Sequence, residues 1–347
     1  MDNLRPGDNR LCFIMKAGVR LFANIKPFIL LYLPVVMTKK TEPHWKDFLA
    51  PRFWGVWLVI LVLRLLALLP YKAGLAFGRL LGRILYRLAS NRRRITEVNI
   101  SLCFRELSAI EQQQLVKKIF EANAIGFIET SWAYWGDIDA IKQKTTIIGS
   151  ELLEQALAHN RGVILLGGHF STLDLGGLLF SFTGKPSSCI YRPHNNPLMD
   201  YWITKKRSRF VKPVDRKRFR VILRDLRNNY AMWYAPDQDF GAKGAVFVPF
   251  FGQTAATITA TSQMVRLNDS PIIMFAHYRN ADDSGYTVEF SAIPEFPSGD
   301  ETRDAELVNE ALERAIRKAP EQYMWVHQRF KTQPDGRRKL YRAAGCK

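Results

Sequence analysis

His169 and Asp174 are the residues whose chemistry and surroundings stand out in this 347-residue chain. They lie in GVILLGGHFSTLDLGG (162–177). There Val163 to Leu166 read as a short buried strand, Gly167-Gly168 as a turn, and Ser171 onward as the start of a helix. A strand that carries a histidine past two glycines places it at the carboxyl end of a sheet, where α/β proteins bind ligands. If the backbone turns between the two residues, the Asp174 carboxylate accepts from one imidazole nitrogen. That fixes the tautomer and leaves the other nitrogen as a general base. Gly167 and Gly168 let a substrate approach the backbone closely. The competing reading is a helix-capping aspartate beside a bystander histidine, and the strand, paired glycines and helix weigh against it.

Other chemistries lack their motifs. No G-x-S-x-G elbow occurs, and none of Cys12, Cys103, Cys189 and Cys346 sits in a nucleophile motif. The six histidines show no HExxH spacing, so no metal site is expected; no cofactor is expected either, since GxxxxGK[ST] and GxGxxG are missing. What remains is a base that activates a hydroxyl brought by the substrate.

The elements that must position this base alternate. Further strands are expected at Ser188–Tyr191, Ala231–Tyr234, Ala245–Phe250, Ile272–His277 and Tyr286–Ile293, with helices over 110–135, 197–210, 216–228, 255–267 and 303–319. This pattern predicts an α/β fold, a central sheet covered by helices on both faces. No linker divides the region, so residues 96–347 read as one catalytic domain.

Upstream, Phe53–Pro70 is an 18-residue apolar run with one charge, Arg64. As a helix it would cover roughly 27 Å, a little short of the ~30 Å hydrocarbon layer. It reads as a membrane-anchor helix, the alternative being a buried core helix. Arg79, Arg83 and Arg87 then recur every four residues as a basic stripe suited to an anionic leaflet, or to plain solvent. Residues 37–95 are therefore expected to form the membrane element. The excess of basic residues after the run places its carboxyl side in the cytoplasm. Residues 1–36 contain an apolar stretch too short to span, and Met37 is a plausible alternative start.

Lysine and arginine number 50 against 32 acidic residues, a net charge of +18. Such a balance points to a polyanionic partner: nucleic acid, an anionic membrane, a phosphorylated substrate or an acidic carrier protein. Lys205 to Arg220 is the densest basic stretch, read as a phosphate or carrier-protein contact or as a solvated face. The absence of a nucleic-acid-binding motif, together with the apolar run, disfavours nucleic acid. The scattered cysteines argue for free thiols in a reducing compartment.

GGHFSTLDLGG, YRPHNNPLMD (191–200), WYAPDQDFG (233–241), VFVPFFG (246–252) and MWVHQRFKTQP (324–334), in that order, resemble the late acyltransferases of lipid A biosynthesis. The resemblance runs from about Met37 to the carboxyl-terminal region. The His-x-x-x-x-Asp alone is shared with glycerolipid acyltransferases, which implies a similar mixed sheet; the phosphoglycerol-type alternative is disfavoured because its Glu-Gly-Thr-Arg block is missing. The resemblance implies a bacterial inner-membrane enzyme, its catalytic domain on the cytoplasmic face. Such an enzyme moves a fatty acyl chain from acyl carrier protein to a hydroxyacyl chain of a Kdo-bearing lipid A precursor. It implies a functional aspartate at Asp237 and an arginine near the site at Arg207. His169 and Asp174 are then the catalytic pair, with Arg207, Asp237, Arg192 and the Gly168 backbone expected to contact substrate.

Overall fold

The computed structural model describes residues 43–335 and 339–346. The expectations for residues 1–36 and for Met37 lie outside the described residues. From His44 onward the chain forms one compact unit.

Helices come first: α1 (Trp54–Leu66), α2 (Tyr71–Leu88), α3 (Ser90–Cys103), α4 (Ala109–Trp135) and α5 (Ile138–Gln143). Strands and helices then alternate: β1 (Thr145–Ile148), α6 (Ser150–Ala158), β2 (Val163–Leu166), α7 (Leu173–Ser181), β3 (Ser187–Tyr191), α8 (Pro197–Arg207), β4 (Lys212–Asp215), α9 (Phe219–Arg227) and β5 (Ala231–Tyr234). A hairpin of β6 (Ala245–Phe250) and β7 (Gln253–Ile258) follows. The chain closes with α10 (Ala260–Asn268), β8 (Ile272–Arg279), β9 (Tyr286–Ala292), α11 (Glu301–Lys318) and α12 (Lys339–Ala343).

Seven strands form one mixed sheet in the order β1-β9-β8-β2-β5-β3-β4. β8, β2, β5, β3 and β4 run parallel, and β9 joins β8 antiparallel. All four residues of β2 are buried, which is why the central strand reads as an unbroken apolar run. Its alternate side chains feed different layers: Val163 and Leu165 pack beneath α7, while Ile164 packs with Ile222 and Leu226 of α9. The helix expected over 255–267 is present as α10 over Ala260–Asn268, but its start is corrected, because 253–258 is β7, paired with β6. The two-residue turn between them puts Phe251 and Gly252 at φ 51° and 68°, the geometry that matches the twist of a hairpin. The Phe251 ring packs against Phe104 and Trp325, and that burial holds a phenylalanine where glycine is usual.

The apolar run near the amino terminus is also shorter than expected as a helix. Chain turns at Ala67–Leu69 and the fixed φ of Pro70 end α1 after 13 residues, about 20 Å. Among the described residues no helix is long and apolar enough to cross a membrane. Instead α1 and α2 pack on α4. Gly74, Gly78 and Gly82 form one face of α2, and a Cβ at Gly78 would lie 2.7 Å from Ile125 Cγ1 and 2.9 Å from its Cα. The three glycines allow close backbone approach between the helices. Another face of α2 is turned outward, with Phe77, Leu80, Ile84 and Leu88 exposed, while Leu75 is buried. α1 likewise exposes Trp54, Leu58, Leu61 and Leu65. The basic stripe is partly consumed within the protein, since Arg79 pairs with Asp283 and Arg83 with Glu121.

Candidate functional site

The sheet register brings His169 to a carboxylate. β2 and β5 are parallel neighbours with Leu166 opposite Tyr234, and the Gly167 amide donates to the Tyr234 carbonyl at 2.9 Å. Three residues beyond each partner stand His169 and Asp237. His169 Nδ1 lies 2.6 Å from Asp237 Oδ1, and the His169 backbone amide donates to Asp237 Oδ2 at 2.7 Å. The Tyr323 hydroxyl donates to the same Oδ2 at 2.9 Å. The Met324 amide donates to the His169 carbonyl, so the 320–332 segment braces His169 from behind. Asp237 is fully buried and paired, as a buried carboxylate must be.

The expected orientation of His169 by Asp174 is therefore corrected: the carboxylate on the imidazole is Asp237. Asp174 sits on the first turn of α7 and faces another group. Arg207 donates from Nε to Asp174 Oδ1 at 2.6 Å and from Nη2 to Oδ2 at 3.2 Å, and the Tyr134 hydroxyl donates to Oδ1 at 2.8 Å. One helical turn carries the carboxylate toward α8 and α4, away from the ring it was expected to meet.

Electrostatics follow from these partners. Burial lowers the basicity of His169, but the charge and hydrogen bond of Asp237 outweigh it and leave the imidazole pKa raised. Burial would raise Asp237, but His169 and its other donors bring it down to about 2. Burial likewise opposes the charge on Arg207, and Asp174 overcomes it, so the guanidinium stays protonated.

A cavity of about 860 Å³ opens beside this pair. His169, Asp174, Arg207 and Arg192 line it, with apolar walls from residues including Leu165, Phe180, Phe210, Ile222, Met264 and Phe275. With Nδ1 engaged by Asp237, Nε2 is the imidazole nitrogen available to a ligand there. Cys189 also lines the cavity, but burial pushes its thiol up to about 11, unlike an activated nucleophile.

One expected substrate contact is placed differently: Asp237 lies behind His169 as its hydrogen-bond partner. A Cβ at Gly168 would meet Phe170 and Leu312 at 3.2 and 3.3 Å, so that side of the residue faces protein. At Gly167 the close neighbour is the Trp233 indole. Tyr134 and Tyr323, which hold the two carboxylates, went unread in the sequence; Tyr323 adjoins the MWVHQRF block, the one signal pointing to it.

A histidine with a buried carboxylate partner, set at the carboxyl ends of parallel strands and opening on an apolar cavity with cationic lining, is an arrangement able to exchange a proton with an amphiphilic ligand. The chain is 38% identical over 292 residues to a lipid A biosynthesis lauroyltransferase of Escherichia coli K12, covering 83% of this chain and 95% of that protein. It is 35% identical over 298 residues to a palmitoleoyltransferase of the same pathway and strain, covering 85% and 97%. A myristoyltransferase from that strain is 26% identical over 313 residues, covering 88% and 97%. Residues 42–332 match the bacterial lipid A biosynthesis acyltransferase family, and the chain belongs to that family.

Proposed function

We propose that the protein transfers a fatty acyl chain from acyl carrier protein to a hydroxyacyl chain of a Kdo-bearing lipid A precursor, with His169 as general base. The observation that carries this reading is the His169–Asp237 pair facing an apolar cavity large enough for acyl chains. The acceptor hydroxyl attacks the thioester carbonyl as His169 Nε2 takes its proton. A hydroxyl is a weak nucleophile at neutral pH, and such a base contributes typically ~10²–10⁴-fold. Asp237 stabilises the imidazolium that forms. The C–S bond then breaks, and the imidazolium returns its proton to the departing thiolate. Arg207, held by Asp174, balances charge on the thioester oxygen in this reading. Arg192, exposed at the cavity wall, is suited to an anionic group of the acceptor. Transfer is direct, within a ternary complex.

The exposed apolar faces of α1 and α2 support attachment to the cytoplasmic face of the inner membrane by helices lying in the interface plane. Both helices pack on α4, so deleting residues 37–90 would expose the core. Leu58→Glu/Leu65→Glu is the cleaner test: the double variant should shift from the membrane to the soluble fraction, and unchanged sedimentation would refute the attachment. For the reaction itself, mass spectrometry of lipid A from cells with and without the gene should show one acyl chain fewer in the deletion. Identical spectra would overturn the proposed function.

A further inference from the structure

On the outer side of α8 the charge is left unbalanced. Lys206 Nζ lies 4.5 Å from the Trp135 ring centroid and 5.4 Å from that of Trp202, which fixes where the ammonium sits. Lys206 and Arg209 both donate to the Tyr134 carbonyl, at 3.4 and 2.7 Å, at the carboxyl end of α4. Lys205 adjoins them, and Arg64 of α1 is close enough to act on the Lys206 charge. Several half-buried or buried cations elsewhere have acids: Arg79 has Asp283, Arg207 has Asp174, and Arg279 has Glu129, while the buried Arg329 donates to the Ala256 carbonyl and the Thr257 hydroxyl. Among the described residues, none of these four cations forms an ion pair with a carboxylate. Burial, then Arg209, Arg64 and Lys205 in turn, pull the Lys206 pKa down to about 8. Each addition of positive charge here works against the next, and an anion with several acceptor oxygens relieves all four.

We propose that Lys206, Arg209, Lys205 and Arg64 bind a phosphate group carried by a membrane lipid. Phosphate offers the acceptor oxygens that lysine and arginine donors take. The lipid carrier follows from α1, where Arg64 flanks the apolar face on which Leu61 and Leu65 are exposed. A phosphate there would be held level with the chains beneath it. Arg207 and Phe210, interleaved in sequence with Lys206 and Arg209, line the cavity, so the site adjoins it. The phosphate belongs to the acceptor glycolipid or to an anionic phospholipid of the bilayer, and the first source rests on the proposed function.

The test uses the full chain carrying Lys206→Met and Arg209→Gln, with Lys206→Arg as the conservative control. Initial rates are measured in detergent micelles with the phosphorylated acceptor and with the same acceptor enzymatically dephosphorylated. Binding is measured to phosphatidylcholine vesicles with and without phosphatidylglycerol. For an acceptor phosphate, the double variant raises KM about tenfold or more with kcat little changed, while both proteins handle dephosphorylated acceptor alike and Lys206→Arg restores KM. For a bilayer phosphate, micellar KM is unchanged and the phosphatidylglycerol-dependent binding is lost. Equal losses on both acceptors with unaltered vesicle binding, or no change anywhere, overturn the site. Should the wild-type protein acylate no lipid A precursor, the functional reading fails, while the vesicle measurement still decides the site.

Discussion

Two carboxylates stand beside the cavity and do different work. Asp237 touches the imidazole: it is buried, receives the His169 ring and amide together with Tyr323, and sits on the loop after β5. Asp174 touches a cation: it ties α7 to Arg207 of α8 and to Tyr134 of α4. The first pair sets a proton affinity, and the second joins three helices while aiming a guanidinium at the cavity. A short spacing in sequence thus marks the wrong partner for the imidazole, and a residue 68 positions away is the right one.

Substitutions can break that contrast. His169→Ala should have the largest effect, lowering transfer by about 10²–10⁴-fold with the fold intact. Near-normal transfer by a folded variant would remove His169 as the base. Asp237→Asn should come next, keeping shape while losing the charge that favours the imidazolium. With Asp237 present the His169 pKa is raised; with asparagine it falls. The base is active when neutral, so the acidic limb of the pH–rate profile should move to lower pH while the maximal rate drops. An unmoved limb would detach Asp237 from the base.

Asp174→Asn should behave differently. It leaves the Arg207 guanidinium, its side chain 19% exposed, without its acid, and breaking such a pair costs about 3–5 kcal/mol when fully buried and less here. The expected result is a lowered unfolding temperature, a smaller rate loss than in His169→Ala, and an acidic limb left in place. A limb shifted as in Asp237→Asn, with stability unchanged, would merge the two roles. The smallest effect is expected from Gly78→Ala, where overpacking against Ile125 should cost about 1–3 kcal/mol, read by denaturation, with little change in pH profile.

Much of the fold was legible because its signals are local. The buried β2 run, the glycine turn after it and the alternation through β5 are written in consecutive residues. Short strands with mixed polarity, such as Lys212–Asp215, carry no such pattern, and β7 was read as helix because apolar threonine- and alanine-rich sequence suits either state. The apolar count over 53–70 was right about composition and blind to the break before Pro70.

The sequence by itself determined the candidate histidine, the alternating architecture, the cationic excess and the family resemblance, each of which depends on residue type or near-neighbour order. Only the tertiary structure decided which carboxylate serves the imidazole. That choice rests on β2 and β5 lying side by side in register, and hydrogen bonding between strands far apart in sequence leaves no periodic trace along the chain. The same holds for the glycine face of α2 against α4 and for the unpaired cations beside α8: close approach and uncompensated charge are properties of surfaces brought together by folding.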